Sequence, residues 1–482
     1  MNRVVLFAIG ILMVLLGVLL VIPAIVDAYS HDGDWHAFAF SSLSALFFGG
    51  LLMLTFNGHE FRMERREGYF LTLGSWMSMS LVGALPFWMS DLNISFTDAV
   101  FESVSGLTTT GSTVLSGLDS MPPGILLWRG LLQWVGGIGI IVMAVTLFPF
   151  LRIGGMQLYR METSDQYDKF MPRIADVCLR ITVVYVVLTL ICGILYWAFG
   201  MTGFEAVIHA MTTLSTGGYS TSDQSIGHFA QPSIQWVAVV FMLAGSLPFS
   251  LYIRYLHQFD AKTFSQDSQT FGFLSYTAIF IAVTVLFLSL HTNGAFSDNV
   301  RLAAFNVVSV ISTTGYASAD YLTWGAGAAT LFFFLSMLGG CAGSTAGGLK
   351  AFRLLAMVKG SFRQGLTLSY PNGIFAVRLG NKKVNDDALD GVYLFFFIMM
   401  SAIGLITIAL ALTGLDFTTS ISAAVTAVAN VGPGLGTVIG PTGNFEPLSN
   451  TAKWVIDVGM IAGRLEFLAI MILFLPDFWA ET

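Results

Sequence analysis

Thr108-Thr109-Thr110-Gly111-Ser112 decides how this sequence is read, because a stretch of the same kind comes back three times. The later versions are Leu214-Ser215-Thr216-Gly217-Gly218-Tyr219, Ser312-Thr313-Thr314-Gly315-Tyr316 and Ala429-Asn430-Val431-Gly432-Pro433. With Gly111, Gly217, Gly315 and Gly432 taken as equivalent, the spacings are 106, 98 and 117 residues. Each copy lies between two long apolar runs. A short hydroxyl-and-glycine element at near-constant period predicts four equivalent walls around one axis.

The surrounding composition is that of a polytopic membrane protein. Of 482 residues, 55% are hydrophobic and 11% charged, against about 25% charged in a soluble domain. A formal net charge of −7 argues against nucleic acid as a partner. Cys178, Cys192 and Cys341 sit in or beside apolar runs without CxxC or metal-ligand spacing, so they read as small apolar packers. The seven histidines are scattered and form no HExxH pair, which argues against metal chemistry.

A helix needs about 20 residues to cross the ~30 Å hydrocarbon core. Runs of that kind cover Val4–Val26, too long for the core of a signal peptide and read as a retained span, and Phe38–Phe56. Four pairs follow, each enclosing one Thr-Gly element: Tyr69–Trp88 with Ile125–Leu151, Ile181–Phe199 with Ile234–Leu256, Phe273–Leu290 with Trp324–Val358, and Val392–Leu412 with Trp454–Leu475. The expected fold is therefore all-α, with about ten transmembrane helices. Residues 1–66 hold two leading spans, and repeats follow at 67–160, 161–262, 263–370 and 371–482.

Placing the N-terminus inside puts Arg3, the Arg62–Arg66 cluster, Arg152 through Arg180, Arg254, Lys262 and Lys350 through Lys383 on the cytoplasmic side, 18 of the 22 basic residues. Arg129, Arg301 and Lys453 fall outside, and Arg464 lies within a span. The positive-inside rule thus predicts cytoplasmic termini and outward-facing Thr-Gly elements. Two spans per repeat make the four copies parallel about an axis along the membrane normal rather than inverted.

Before each element runs a stretch too short to span: Phe96–Leu107, Phe204–Leu214, Leu302–Ile311 and Phe417–Val428. Irregular backbone at membrane depth survives only when buried in protein or lining a watery cavity, which a re-entrant half-helix followed by extended backbone satisfies. Carbonyl oxygens there can replace the hydration shell of a cation, and glycine permits the close, side-chain-free approach. The candidate K⁺ ligands are the carbonyls of Thr109, Thr110, Gly111; Ser215, Thr216, Gly217; Thr313, Thr314, Gly315; and Asn430, Val431, Gly432. None of these residues is ionisable.

In these elements and spans the chain resembles the superfamily of K⁺ transporters that includes TrkH, TrkG and KtrB, with the plant HKT proteins more distant. The two leading spans and the length point to the TrkH/TrkG branch. The resemblance implies a K⁺ uptake channel or transporter of the bacterial inner membrane, a homodimer with one pore per subunit. It implies K⁺ preference from a glycine at position 111. The fourth copy, Asn430-Val431-Gly432, departs most from Thr-Thr-Gly and makes the filter asymmetric.

Two further features concern gating. The third repeat's second apolar stretch, about 35 residues, is interrupted by Gly339-Gly340-Cys341-Ala342-Gly343-Ser344-Thr345-Ala346-Gly347-Gly348, whose five glycines disfavour helix by about 1 kcal/mol each. It reads as a flexible mid-membrane loop next to the filter, and such a loop is also what the resemblance implies. Gly339, Gly340, Gly343, Ser344, Thr345, Gly347 and Gly348 are its candidate gate residues. Arg464, ten residues into the last run, is the second: a charge near the bilayer centre marks a functional site. Its bland reading is an ion pair with Asp457 or Glu466. The resemblance implies that it points into the pore as an electrostatic barrier.

Asp98, Glu102, Asp119, Glu205, Asp223, Asp298, Asp320, Asp416 and Glu446 are expected to flank the outer mouth and draw in cations. No GxGxxG or Walker A motif stands in the chain. The basic loops Arg152–Arg173 and Lys350–Lys383 therefore read as docking surfaces, by resemblance for a cytosolic TrkA-type subunit binding NAD(H) or ATP/ADP. Membrane lipid is the remaining partner. An intramembrane enzyme is disfavoured, since Gly340-Cys341-Ala342-Gly343-Ser344 is no proper GxSxG and no base accompanies it. Whether flux is passive or coupled to H⁺ or Na⁺, and how strictly K⁺ is chosen over Na⁺, stay open.

Overall fold

The two leading runs become the helices Arg3–Tyr29 and Trp35–Phe56, and they cross on small residues. A β-carbon on Gly10 would meet the Gly49 carbonyl oxygen at 2.8 Å, and one on Gly49 the Gly10 oxygen at the same distance. Ser42 Oγ donates to Gly17 O at 2.7 Å. Lipid offers no hydrophobic drive between apolar helices, so close backbone approach and such hydrogen bonds hold them. The computed structural model describes residues 3–31, 33–57, 64–151, 174–260, 262–292, 294–380 and 382–479. The basic loop 152–173 and residues 59–63 of the first charge cluster lie outside the described residues.

Seven helices among the described residues are individually long and apolar enough to cross a membrane. The chain is a multi-pass, mostly helical membrane protein; the β-structure described is a two-residue pairing of Arg378–Leu379 with Lys382–Lys383, Arg378 opposite Lys383, and a single bridge between Leu338 and Leu349. First members of the four pairs are continuous: Arg65–Met89, Ile174–Ala198, Ser268–His291 and Asp386–Ala411. Of the second members, Pro123–Leu151 alone is unbroken.

Continuous spans were expected at Ile234–Leu256 and Trp454–Leu475, and both expectations are corrected. The first bends by 91° between Pro232–Ser246 and Phe249–Gln258. Pro248 has no N–H and disfavours helix at the residue before it. The groups freed there find partners in the glycine-rich segment: Thr345 N–H donates to Gly245 O at 3.2 Å, Cys341 N–H to Ser246 O at 2.9 Å, and Phe249 N–H to Gly343 O at 3.0 Å. The break in the second repeat and the break in the third thus satisfy each other, as the membrane interior demands. In the fourth repeat the helix Asn450–Arg464 stops, Glu466 takes φ +60°, and a short helix Phe467–Met471 follows. Arg464 is therefore the last residue of a helix, where a cation is favourable.

Four short helices, Phe96–Leu107, Gly203–Leu214, Phe296–Ile311 and Phe417–Ala429, complete the repeats. Three carry hydrogen-bonded N-caps, Ser95, Thr202 and Asp416. Almost every residue in their final two turns is buried.

Candidate functional site

Each short helix ends in the same backbone device. Thr110, Gly217, Thr314 and Val431 N–H each donate five residues back, to Ser105, Thr212, Ser309 and Thr426 O, all at 2.9 Å. Thr109, Thr216, Thr313 and Asn430 N–H donate three residues back, and all four take φ between +52° and +60°. This is a Schellman C-cap, whose left-handed residue is usually glycine. Here three of the four are β-branched threonines, a strain of about 1–3 kcal/mol each that persists only where the surroundings over-determine it. Asn430 tolerates the conformation more easily, so the fourth copy keeps the cap of the others despite its different side chains.

The cap sets the register, and it corrects the second copy. Thr216, not Ser215, is equivalent to Thr109; Gly217 stands where Thr110 does; and Gly218 is the counterpart of Gly111 and Gly315. Ser215 is the helix C-cap, equivalent to Thr108. Gly111, Gly218 and Gly315 take φ +86°, +79° and +82°, and Gly432 departs in lacking a positive φ. Gly217 is glycine for another reason. A β-carbon there would stand 2.3 Å from Gln133 Cδ. The Gln133 amide fills that space, donating to Gly217 O at 2.7 Å and accepting from Tyr219 N–H at 3.0 Å.

The four elements close into a ring. A β-carbon on Gly111 would lie 2.1 Å from Gly217 O, and one on Gly218 1.9 Å from Thr314 O. On Gly315 it would lie 2.8 Å from Gly432 N, and on Gly432 3.0 Å from Gly111 O. Each contact runs to the next copy and the last returns to the first. Hydrogen bonds stitch the seam: Asn430 Nδ2 donates to Thr110 Oγ1 at 3.0 Å, and Ser112 Oγ to Gly432 O at 2.9 Å. The C-terminal ends of four helix dipoles lead into this ring, each worth about half a negative charge. Gly111, Gly218, Gly315 and Gly432 together line a cavity of about 320 Å³ on one side of it.

The glycine-rich segment lies on the other side. Thr345 Oγ1 donates to Leu214 O at 3.0 Å and Gly245 O at 2.9 Å, and accepts from Thr216 Oγ1 at 3.2 Å. Gly347 N–H donates to Thr313 Oγ1 at 2.7 Å, and a β-carbon on Gly347 would sit 2.4 Å from Ala429 O. Tyr276 Oη holds Gly339 O at 3.0 Å, Gln269 Oε1 accepts from Ala342 N–H at 2.8 Å, and Ser344 Oγ donates to Cys341 O at 2.6 Å. Gly340 O accepts from Ala351 N–H at 2.9 Å, and Gly348 turns at φ +65°. The break expected from the glycines is present, and the segment is hydrogen-bonded along its length to the second and third repeats and packs against Ala429 of the fourth. Beside it a cavity of about 30 Å³ is lined by Gly343, Ser344, Gly347, Gly348, Lys350, Arg353, Asn430, Arg464 and Glu466. Neither expected partner holds Arg464: Glu466 pairs with Arg353, and among the described residues neither oxygen of buried Asp457 is hydrogen-bonded.

The family model for TrkH, described as a cation transport protein, matches residues 34–480. The chain belongs to the TrkH family. It is 41% identical over 473 residues to the Trk system potassium uptake protein TrkI of Halomonas elongata, covering 98% of this chain and 96% of the relative. Identity to the Trk system potassium uptake protein TrkH of Escherichia coli is 36% over 479 residues, 98% of each chain. Among solved structures it resembles the crystal structure of the potassium transporter TrkH from Vibrio parahaemolyticus, with a TM-score of 0.92, 33% identity and full coverage of both chains.

Within this TrkH-family chain the expected acidic mouth is corrected at Glu102, Asp98 and Asp298, whose charges are met by basic side chains. Glu102 is wholly buried, bonded to Arg129 Nε at 2.7 Å and to Thr113 and Val114. Asp98 pairs with Lys453, and Asp298 with Arg301. Glu205, Asp416 and Asp320 cap helix starts, and Asp223 accepts from Gly117 and Leu118 N–H. Asp223 lines the larger cavity, as does the paired Arg129. Asp119 remains exposed, its carboxyl held below the usual range chiefly by the Ser222 hydroxyl.

Several residues of this candidate site are not among those expected from sequence. Gly218 was legible by counting from the end of each short helix. Gln133, a polar residue inside the apolar run 125–151, carried a signal that went unused. Lys350 and Arg353 carried none beyond their charge, because only the two helix breaks bring them beside Glu466, which was expected as a partner for Arg464 and not for Arg353.

Proposed function

We propose that this chain takes up K⁺ across the bacterial inner membrane as the pore subunit of a Trk-type system. The ring opens outward, both termini are cytoplasmic, and K⁺ is the transported ion. It loses part of its hydration shell to the carbonyls of Thr109–Gly111, Thr216–Gly218, Thr313–Gly315 and Asn430–Gly432. Positive φ at two of the three residues in the first three elements, and at Asn430 in the fourth, sets these uncharged backbones apart from ordinary helix or strand, and carbonyl oxygens without a fixed charge suit a cation that must also leave. Four such elements in one register around one axis carry this reading. The names of the relatives at 41% and 36% identity support it.

The segment Gly339–Gly348 acts as the gate, and Arg464 opposes K⁺ on the far side of the ring until it moves. A second copy completes a homodimer. The basic segment Lys350–Lys383 docks a cytosolic TrkA-type subunit that binds NAD(H) or ATP/ADP and controls opening. A second reading, K⁺ uptake coupled to H⁺, is favoured by one observation: Asp457 is buried with neither carboxylate oxygen hydrogen-bonded.

Uptake of rubidium by proteoliposomes holding the purified chain tests the central proposal, and absence of any flux overturns it. Imposed proton gradients separate passive from coupled flux. Arg464→Ala is expected to raise uptake several-fold; a fall at equal reconstitution would remove the barrier from the mechanism.

A further inference from the structure

Residues two apart on a continuous helix do not share a face. Arg464 and Glu466 nonetheless line the same 30 Å³ cavity. They do so because the helix Asn450–Arg464 ends there and Glu466 takes φ +60°. An acid so close in sequence to an unpartnered arginine would be its natural counter-ion. It is instead taken by Arg353, three residues past Lys350 at the end of the glycine-rich segment. The Arg353 guanidinium lies 3.8 Å from the centre of the Phe395 ring, and its side chain is 1% exposed. Arg464 is buried, and among the described residues its Nε and Nη2 have no hydrogen-bond partner.

We propose that Arg353 is a positioning residue: by holding Glu466 it withholds the counter-ion from Arg464, so that Arg464 keeps its full charge toward the passage. This rests on the reading of Arg464 as the barrier. The cavity holds about one water-sized particle, so an ion passing there cannot avoid that charge. The pair also ties the third repeat's helix Ala351–Ser369 to the fourth repeat's break. Movement of the glycine-rich segment that displaced Arg353 would release Glu466 to Arg464 and lower the barrier in the same step. Gate and barrier are then one coupled device, with Glu466 exchanged between two arginines.

Rubidium uptake into proteoliposomes, at matched protein per vesicle, tests the exchange. Arg353→Gln is expected to raise initial uptake about three- to tenfold, and Arg353→Lys to leave it near wild type. Glu466→Gln, which leaves both arginines uncompensated, is expected to lower uptake, and in combination it must abolish the gain from Arg353→Gln. In an Arg464→Ala background Arg353→Gln should add nothing. A gain from Arg353→Gln that persists with Glu466→Gln or with Arg464→Ala overturns the proposal, as does reduced uptake by well-folded Arg353→Gln. Should Arg353→Gln fail to purify, Arg353→Lys and Glu466→Gln decide: loss of flux in the first or a gain in the second refutes the exchange. Failure of Arg464→Ala by itself to raise uptake would instead refute the barrier reading, so the two are told apart.

Discussion

Replacing Gly218 by alanine should damage discrimination between K⁺ and Na⁺ far more than replacing its neighbour Gly217. At Gly218 the new β-carbon lies 1.9 Å from Thr314 O on a backbone of φ +79°. An ordinary C···O approach is about 3.4 Å, so two elements of the ring must part by roughly 1.5 Å. The left-handed conformation adds about 1–2 kcal/mol for a residue with a β-carbon. At 1.4 kcal/mol per factor of ten, strain of that size in the ring is worth about tenfold or more in selectivity. At Gly217 the obstacle is the Gln133 side chain, 2.3 Å away, on a backbone without positive φ. That side chain can retreat, giving up its two hydrogen bonds at about 1 kcal/mol each. Gly217→Ala should therefore lower thermal stability by about 2 kcal/mol and keep most of the selectivity. The assay is rubidium uptake with graded sodium competition, run beside thermal unfolding of each variant. Loss of discrimination in Gly217→Ala with retention in Gly218→Ala would refute the register derived from the helix caps.

Two further outcomes follow from buried contacts. Thr345→Val keeps the shape of the side chain but removes the hydroxyl that bridges Leu214, Gly245 and Thr216; the glycine-rich segment should loosen by about 1–3 kcal/mol, and rubidium uptake should rise while discrimination by the ring is retained. Glu102→Gln leaves Arg129, 1% exposed, without its ion-pair partner; the cost should reach about 3–5 kcal/mol, read as a large fall in unfolding temperature or in folded yield.

How far the sequence could be read depended on the range of the contacts involved. The short helices were legible because capping and apolar pattern are local, and the four Thr-Gly elements because repetition is visible without coordinates. At the second copy two glycines adjoin for unrelated reasons, Gly217 because Gln133, 84 residues upstream, occupies the space a side chain would need, and only counting from the helix end tells them apart. The outer acids were read as a field because charge is visible in sequence, whereas the pairing of Glu102 with Arg129 and Asp98 with Lys453 across 27 and 355 positions is not.

Composition, hydropathy and the fourfold recurrence by themselves determined a many-span membrane protein with parallel repeats and a break at the glycine-rich segment, since each rests on the cost of placing a residue type in lipid or helix. Tertiary structure alone decided where the other spans break and which atoms those breaks bring together. A helix interrupted inside a membrane must find partners for its freed backbone groups elsewhere in the protein. Those partners, Gly245, Ser246 and Phe249 for the glycine-rich segment, come from another repeat. The same logic placed Arg464, Glu466 and Arg353 around one small cavity, where helical spacing alone would have faced the first two apart.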